Sequence, residues 1–475
     1  MNLQDLEPTV VIRNGTVVTG APGAGAQPGM DVWIRGDTIA EIRASGQRPT
    51  PAGCKVIDAT DAIVMPGLID SHRHLWQTTL RAMSSDLIAP EYRHQLREAL
   101  VPLYRPEDVY IATLAGALEA LDSGVTTVLD WAHIMNSPEH ADASIDALRR
   151  SGIRAVFAHS APNDQEATLW WSNSARPHPR DARRVRQVLS DDSARVTMAL
   201  GARAPQLVQR DVRVHDWRLA RELGLRIVTD GGIGGGLWGG RTYPIRLLAE
   251  DGLLGPDCCY VHCNNLAEDE YRLIADSGGA ISMSPCGELH VGFGMPATIA
   301  ALAHGIRPAL SIDSVIFVAG DMFATMRATL GLQRGMLGWE ATQRGVGVGP
   351  WQLTTADVLE FATFHGAAAL GLAGRTGALQ PGQQADIVLL NTRSLRLAPN
   401  NNPVASIVLQ ATPADVKTVL VAGQIVKEDG RLTDWDEGSV VRDLVKSRDW
   451  LVSQGGARLG ASVRSRLVGT GLPGF

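Results

Sequence analysis

The sequence is poor in the features that mark secreted and membrane proteins. Cysteine occurs only five times in 475 residues, with neither the number nor the spacing of a disulfide scaffold. No stretch approaches the roughly 20 consecutive apolar residues of a membrane-spanning helix. The opening MNLQDLEPTVVIRNG carries acids where a secretory signal has a basic region before an apolar one. We therefore expect a cytoplasmic protein without a membrane partner.

An excess of basic charge is also missing. The chain has 44 Lys and Arg against 50 Asp and Glu, a net charge of −6 and a pI near 6.1. This balance provides no general attraction to nucleic acid or anionic lipid. Hydrophobic residues make up 45% and charged residues 20%, which is ordinary for a soluble globular enzyme. A small molecule is therefore the expected partner, and nucleic acid is not.

The chain also lacks a fixed-period repeat and a low-complexity linker. Its pattern of strand-like and helix-like segments changes only twice. Residues 1–66 are short β-like runs, with Asn14-Gly15 and Gly36-Asp37 as turn signals of a small antiparallel sheet. Apolar strands then alternate with helical stretches such as PEDVYIATLAGALEALDSG through residues 67–370, before residues 371–475 return to β-like runs and end in a helical tail. We predict an α/β fold, a (β/α)₈ TIM-type barrel with a small composite β-sandwich made by both chain ends.

The strongest local signal is PGLIDSHRH, in which an apolar strand ends in His72-Arg73-His74. Residues two apart on a strand face the same side. Two imidazoles placed in this way can ligate one divalent ion.

Further predicted strands also end in polar residues, and the carboxyl ends of barrel strands share one rim where the chemistry lies. These strand-end residues are Asp130, His133, His159, Asp230, His262 and Asp313. His72, His74, Asp230, His262 and Asp313 are expected to converge on one cavity, whereas Asp130, His133 and His159 fit equally well as groups that cap backbone amides.

The ordered motifs resemble the amidohydrolase superfamily, in the branch of cytosine deaminases and triazine chlorohydrolases. The resemblance rests on PGLIDSHRH, on VHCNNL with its strand-6 His, on SIDS with its strand-8 Asp, and on LQPGQQADIVLLN. It implies a barrel with a composite β-sandwich, a homo-oligomer and one divalent metal. We expect zinc first, with iron or manganese as alternatives. His72, His74 and Asp313 would be ligands, Asp313 would also accept a proton from the attacking water, and His262 would hold that water or polarise the substrate.

The chain departs from this branch at the end of strand 5. Asp230 stands where the resembling enzymes have a ligand His, and Ile233 stands where deaminases often have a proton-shuttling Glu. Asp230 is therefore a metal ligand through oxygen, or an acid/base or substrate anchor beside a weak or lost metal, or a structural group. Glu288 or His262 could replace the missing Glu.

The glycines after Asp230 fit G-x-G-x-x-G at Gly234, Gly236 and Gly239. No helix-forming run follows, so we interpret the segment as a loop at the rim rather than a nucleotide site. Tryptophan is unusually frequent, with 11 residues against seven Phe and six Tyr, and strand-end tryptophans could form the walls around a flat substrate. The expected substrate-binding residues are Trp76, Gln77, Trp131, His133, Trp238 and Glu288.

Two functions remain open at this point. The first is a metal-dependent hydrolase that cleaves a C–N bond of a small cyclic or aromatic nitrogen compound, of deaminase or amidohydrolase type. The second keeps the fold but makes the protein a lyase, isomerase or cyclase of a specialised biosynthetic pathway, with Asp230 as acid/base. A non-catalytic binding protein is disfavoured, because His72, His74, His262 and Asp313 are all present.

Overall fold

The computed structural model describes residues 8–233 and 240–456. These residues contain seventeen strands, which are numbered here in chain order. The strands are β1 (Val10–Val18), β2 (Ala26–Arg35), β3 (Thr38–Ala44), β4 (Lys55–Asp58), β5 (Ala62–Pro66), β6 (Leu68–Arg73), β7 (Val125–Ala132), β8 (Arg154–His159), β9 (Val196–Gly201), β10 (Arg226–Asp230), β11 (Cys258–Val261), β12 (Ala280–Met283), β13 (Ala309–Leu310), β14 (Ile387–Asn391), β15 (Val416–Val421), β16 (Gln424–Glu428) and β17 (Arg431–Leu432).

The two ends of the chain form one nine-stranded sheet. Its order is β17-β16-β15-β14-β5-β1-β2-β3, with β4 paired to β1. The predicted β domain made by both chain ends is thus confirmed. The sheet is mixed rather than antiparallel throughout, because β1 pairs in parallel with both β4 and β5.

One predicted turn is wrong and another is confirmed. Gly36-Asp37 connects β2 to β3 as expected, whereas Asn14-Gly15 lies inside β1 at a register shift of its pairing with β2. A Cβ at Gly15 would come within 2.5 Å of the Val64 side chain, so glycine is required here by the close approach of β5. Asn14 has a φ of 57°, and this positive value belongs to a bulge that bends the strand rather than to a hairpin.

The second sheet has eight strands, β6 to β13, each paired in parallel with its neighbours along the chain. The strands are almost entirely buried, as expected when a parallel sheet is covered on its outer face and filled on its inner face. The predicted eight-stranded barrel is therefore confirmed.

The barrel closes between its first and last strands through backbone contacts. Arg73 in β6 forms a parallel bridge with Asp313, three residues after β13. The His74 amide donates to the Asp313 carbonyl at 2.9 Å, and the Asp313 amide donates to the His72 carbonyl at 2.9 Å. Closure therefore brings the two ends of the barrel sequence to the same point on its rim.

Helices cover the barrel and connect its strands. The α-helices are α1 (Ala89–Tyr92), α2 (Pro106–Asp122), α3 (Pro138–Ser151), α4 (Ala167–Trp171), α5 (Asp181–Val188), α6 (Arg210–Glu222), α7 (Pro244–Glu250), α8 (Glu268–Ser277), α9 (Pro285–His290), α10 (Thr298–Ala303), α11 (Met322–Gln343), α12 (Thr355–Phe361), α13 (Phe364–Ala369), α14 (Pro403–Leu409) and α15 (Glu437–Gly455). No helix within the described ranges has both the length and the apolar character needed to cross a bilayer.

The helix predicted from PEDVYIATLAGALEALDSG is α2, and local chemistry explains both of its ends. Pro106 occupies the first turn, where its missing N–H has no helical partner to lose. The Asp108 carboxylate accepts the Arg105 backbone N–H at 3.0 Å. The helix ends at Asp122, just before Gly124, whose φ of 86° is a conformation that favours glycine.

A buried ion pair joins the barrel to the sheet made by the chain ends. Arg154 begins β8, and its Nε and Nη2 donate to the two carboxylate oxygens of Asp386 at 2.7 and 3.1 Å. Asp386 also accepts the Ala422 amide at 2.7 Å and the Thr376 hydroxyl at 2.8 Å. Both charged side chains are essentially inaccessible to water, so removal of either partner leaves an uncompensated buried charge.

Asp386→Ala is therefore expected to lower the free energy of unfolding by about 3–5 kcal/mol. The control is Glu222→Ala, which breaks the exposed pair between Arg183 and Glu222 and is expected to cost at most about 1 kcal/mol. Urea denaturation followed by tryptophan fluorescence measures both. Equal midpoints for the two variants would show that the buried pair does not stabilise the junction.

Candidate active site

The closure of the barrel places three potential metal ligands together. His72 lies near the end of β6 and His74 directly follows this strand, while Asp313 follows β13 across the closing bridge. The Asp313 Oδ1 atom lies 3.6 Å from Nε2 of His72 and 3.4 Å from Nε2 of His74. One ligand atom from each residue lies within 4.8 Å of the others. Two imidazole nitrogens and a carboxylate oxygen at such separations suit a divalent ion.

The surroundings of the two histidines fit this role. His72 is 1% exposed, and neither of its ring nitrogens has a hydrogen-bond partner among the described residues. Burial lowers the pKa of His72 to about 3, which keeps the ring neutral, as a metal ligand must be. His74 Nδ1 lies 2.8 Å from the Trp131 carbonyl. Donation to that carbonyl leaves Nε2 of His74 unprotonated beside Asp313.

His262 follows β11 and is held by a buried carboxylate. Its Nδ1 lies 3.1 Å from Oε1 of Glu288 in α9. Glu288 is fixed in turn, since it accepts the Ser284 amide at 2.8 Å and the Asn264 side-chain amide at 3.1 Å. Desolvation lowers the pKa of His262, but the hydrogen bond to Glu288 and the nearby acids outweigh it and raise this pKa to about 9. His262 is therefore oriented as a hydrogen-bond donor toward the cavity.

Asp230 ends β10 and lies beside His262 rather than among the three ligands. Its Oδ1 is 4.0 Å from Nε2 of His262, and it does not belong to the compact group of His72, His74 and Asp313. Burial raises the pKa of Asp230, and the neighbouring His262 opposes that rise. Asp230 and Ile233 both line the cavity, so a hydrophobic side chain occupies the position at which the resemblance predicts a Glu.

Two of these residues have unusual backbone conformations. His262 has a φ of 70° and Asp313 a φ of 69°, values that non-glycine residues rarely adopt. Each is fixed by a backbone hydrogen bond from its own amide, from His262 to the Ser282 carbonyl and from Asp313 to the His72 carbonyl. Such conformations persist where the surrounding structure imposes them, and they cluster at functional sites.

The cavity above these residues has predominantly apolar walls, as binding sites for flat heterocycles commonly have. Its aromatic lining consists of Tyr92, Trp131, Trp171, Phe293 and Phe317. Gln77 and His133 line it as well, so three of the expected substrate-binding residues, Gln77, Trp131 and His133, are at its surface.

The other expected substrate-binding residues lie elsewhere. Trp76 is fully buried, and its Nε1 donates to Nδ1 of His133 at 3.1 Å. Glu288 is fully buried behind His262. Both thus support residues that line the cavity and are not part of its lining. Trp238 and the glycines at 234, 236 and 239 lie outside the described residues.

Of the three strand-end residues with two interpretations, Asp130 and His159 lie outside the cavity lining. Asp130 is buried and accepts the Leu75 amide at 3.0 Å. His159 is buried, with its Nδ1 3.0 Å from Nε2 of His178. His133 alone of the three lines the cavity, where its ring stacks on that of His74 with 4.2 Å between the centroids.

Sequence reasoning missed two residues in the segment between β6 and α2. Tyr92 and Arg97 line the cavity from this segment, and Arg97 ends a short π-helical turn at Arg93–Arg97. Both residues lie well past the end of β6 at Arg73, so no strand-end signal marks them.

Comparisons with known proteins agree with this architecture. The family model described as the amidohydrolase family matches residues 63–426. The chain is 26% identical over 452 residues to a 5′-deoxyadenosine deaminase of Methanosarcina mazei, covering 94% of this chain and 99% of the relative. It is 26% identical over 406 residues to a 5-methylthioadenosine/S-adenosylhomocysteine deaminase of Acetivibrio thermocellus, covering 82% of this chain and 88% of the relative.

Solved structures share the fold. An adenosine deaminase from Xanthomonas campestris with bound zinc superposes with a TM-score of 0.80 at 22% identity, over 94% of this chain and 99% of that one. An atrazine chlorohydrolase from Arthrobacter aurescens complexed with zinc gives a TM-score of 0.79 at 21% identity, over 92% and 100%. The resemblance to deaminases and triazine chlorohydrolases is thereby confirmed. The group of His72, His74 and Asp313 suits a divalent metal, and both of these solved structures contain zinc.

His72→Ala is expected to lower bound zinc from about one equivalent per chain to below about 0.2, because it removes a ligand that no neighbour can replace. Elemental analysis after dialysis against zinc measures the loss. His159→Ala is the control, since it removes another buried histidine at the end of a barrel strand, outside the ligand group. Retention of zinc by His72→Ala, or equal loss from both variants, would contradict the assigned ligand group.

Proposed function

The chain belongs to the amidohydrolase family, and we propose that it is a deaminase that hydrolyses the C–N bond of an exocyclic amino group on a small aromatic or cyclic nitrogen compound. Hydrolysis of non-peptide C–N bonds follows from the family and from its deaminase relatives. The observation that carries the proposal is the mutual approach of His72, His74 and Asp313 beside an aromatic cavity, which His74, Asp313 and His262 line.

His72, His74 and Asp313 would hold the metal ion, which we propose to be zinc, because two of the three ligands are imidazoles and two fold relatives contain zinc. When bound, such an ion acts as a Lewis acid and lowers the pKa of a water that it holds toward about 7.

The protein's own residues would move the protons. Asp313 accepts a proton from the attacking water and returns it to the leaving nitrogen, which departs as ammonia. His262 donates a hydrogen bond from Nε2 to the charge that develops on the substrate, since its Nδ1 is engaged by Glu288 at 3.1 Å. Glu288 is a positioning residue, because it acts only through His262.

We propose that Asp230 hydrogen-bonds the substrate and is not a metal ligand. Its Oδ1 faces Nε2 of His262 at 4.0 Å, and it lies outside the group of three. With Ile233 in place of a Glu, Asp230 is also a carboxyl group in the cavity wall that can exchange a proton with a ring nitrogen. In this chain Asp230 would thus carry the proton that the resemblance assigns to a Glu at the position of Ile233.

We also propose that the protein is a homo-oligomer in the cytoplasm. Exposed aromatic side chains at Trp339 and Trp351, 65% and 45% exposed, support contacts between subunits at the surface around α11.

Asp313→Asn is expected to reduce ammonia release by at least about a thousandfold, because it removes the proposed base and weakens metal binding. A panel of amino-substituted purines, pyrimidines and triazines, assayed by coupled ammonia detection, identifies the substrate on wild-type protein. Wild-type protein that binds zinc but converts panel members without releasing ammonia would favour the lyase, isomerase or cyclase alternative.

Asp230→Asn is expected to retain about one zinc per chain while ammonia release falls by about a hundredfold. Asp230→His is the matched variant, since it restores the residue type that the resembling enzymes carry. If zinc is lost from Asp230→Asn and retained by Asp230→His, Asp230 is a ligand and its proposed role as a substrate partner is wrong.

A further inference from the structure

Arg97 lies in the cavity wall without an acidic partner. Its guanidinium carbon is 5.1 Å from the centroid of the Trp171 ring. In the amide orientation that satisfies both groups, the Asn163 side-chain oxygen accepts from Nε and Nη2 of Arg97 at 3.1 and 3.2 Å. Among residues 8–233 and 240–456, no carboxylate forms an ion pair with it. Two of the five N–H donors of Arg97 therefore bind Asn163, and its Nη1 makes no contact with Asn163.

The acids that line the same cavity already have partners. Glu98 is engaged by Arg93 Nε at 3.3 Å and by His94 Nδ1 at 2.8 Å. Asp230 faces His262, and Asp313 faces the two histidines at the end of β6. The charges of Asp230 and Glu98 act on Arg97 from nearby and oppose the fall in its pKa, but neither carboxylate forms an ion pair with it.

A charge without an ion-pair partner in such a place is costly. Arg97 is half-buried, and desolvation lowers its pKa, yet a guanidinium remains protonated at neutral pH. Charged groups removed from water in proteins are ordinarily paired. The apolar walls around Arg97 would strengthen its attraction for an anion that entered the cavity.

A second donor stands at the same wall. The Tyr92 hydroxyl accepts from Nε2 of Gln77 at 2.7 Å, and within the described chain it donates to no acceptor. Tyr92 immediately precedes the short turn that Arg97 ends, and both residues line the same cavity. A phenol hydrogen and a guanidinium edge together match the two oxygens of a carboxylate.

We propose that Arg97 and Tyr92 form an anion subsite, and that the substrate is a nitrogen heterocycle that carries one carboxylate in addition to the C–N bond to be cleaved. One guanidinium charge balances one carboxylate charge. The inference rests on the proposed function only in taking this cavity as the substrate site.

Benzoate and benzamide test this subsite, because they have the same shape and differ in charge. We expect zinc-loaded protein to bind benzoate at least about tenfold more tightly than benzamide in calorimetric titrations. Arg97→Met should remove this preference by weakening benzoate about tenfold and leaving benzamide within about twofold. Arg97→Lys should restore part of it, because the charge returns without the planar fork.

Arg334→Met is the matched control. The Arg334 guanidinium carbon also lies 5.1 Å from a tryptophan centroid, that of Trp351, but outside the cavity. This variant should bind both probes as the wild type does. Equal binding of benzoate and benzamide by wild type, or a benzoate preference that survives Arg97→Met, would overturn the subsite.

Titrations of zinc-free protein separate this inference from the proposed hydrolase. A benzoate preference that depends on Arg97 with and without zinc supports the subsite even if no panel compound is hydrolysed. A preference that vanishes with zinc and is unchanged in Arg97→Met assigns benzoate to the metal and overturns the subsite, even if hydrolysis is found.

Discussion

The two backbone hydrogen bonds that close the barrel are the constraint on which the site depends. They join the His74 amide to the Asp313 carbonyl and the Asp313 amide to the His72 carbonyl, each at 2.9 Å. The proposed ligands are therefore placed by the closure of the sheet and not by flexible loops. Because the same contacts hold Asp313 at a positive φ, the stability of the barrel offsets the backbone strain at this residue.

A layer of buried polar groups supports the residues that face the cavity. Glu288 fixes His262, and Trp76 donates to His133. The supporting residues are fully buried and hydrogen-bonded, whereas the groups they hold have polar atoms at the cavity. Orientation is therefore set before a substrate arrives, which lowers the entropic cost of assembling the site.

The fold was predictable because its signals are local and repeated. Alternating strands and helices indicate a parallel barrel, and polar residues at strand ends mark its rim. Three features of the structure could not be predicted from such local signals. The Asn14-Gly15 pair is a bulge because β5 packs against Gly15, and the supporting role of Trp76 depends on burial. Arg97 comes from a segment whose side chains hydrogen-bond to residues elsewhere in the fold, such as Asn163. Each depends on contacts between residues distant in sequence.

The sheet built from both chain ends has a consequence for biosynthesis. Pro66 in β5 pairs with Ile387 in β14, so the N-terminal strands have an open edge until that partner has been made. At about 5–20 residues per second, this interval lasts some tens of seconds. During that time the β5 edge is an unpaired template for other chains, and the buried Arg154 lacks Asp386. The newly made chain is thus most prone to aggregation before Asp386 and β14 leave the ribosome.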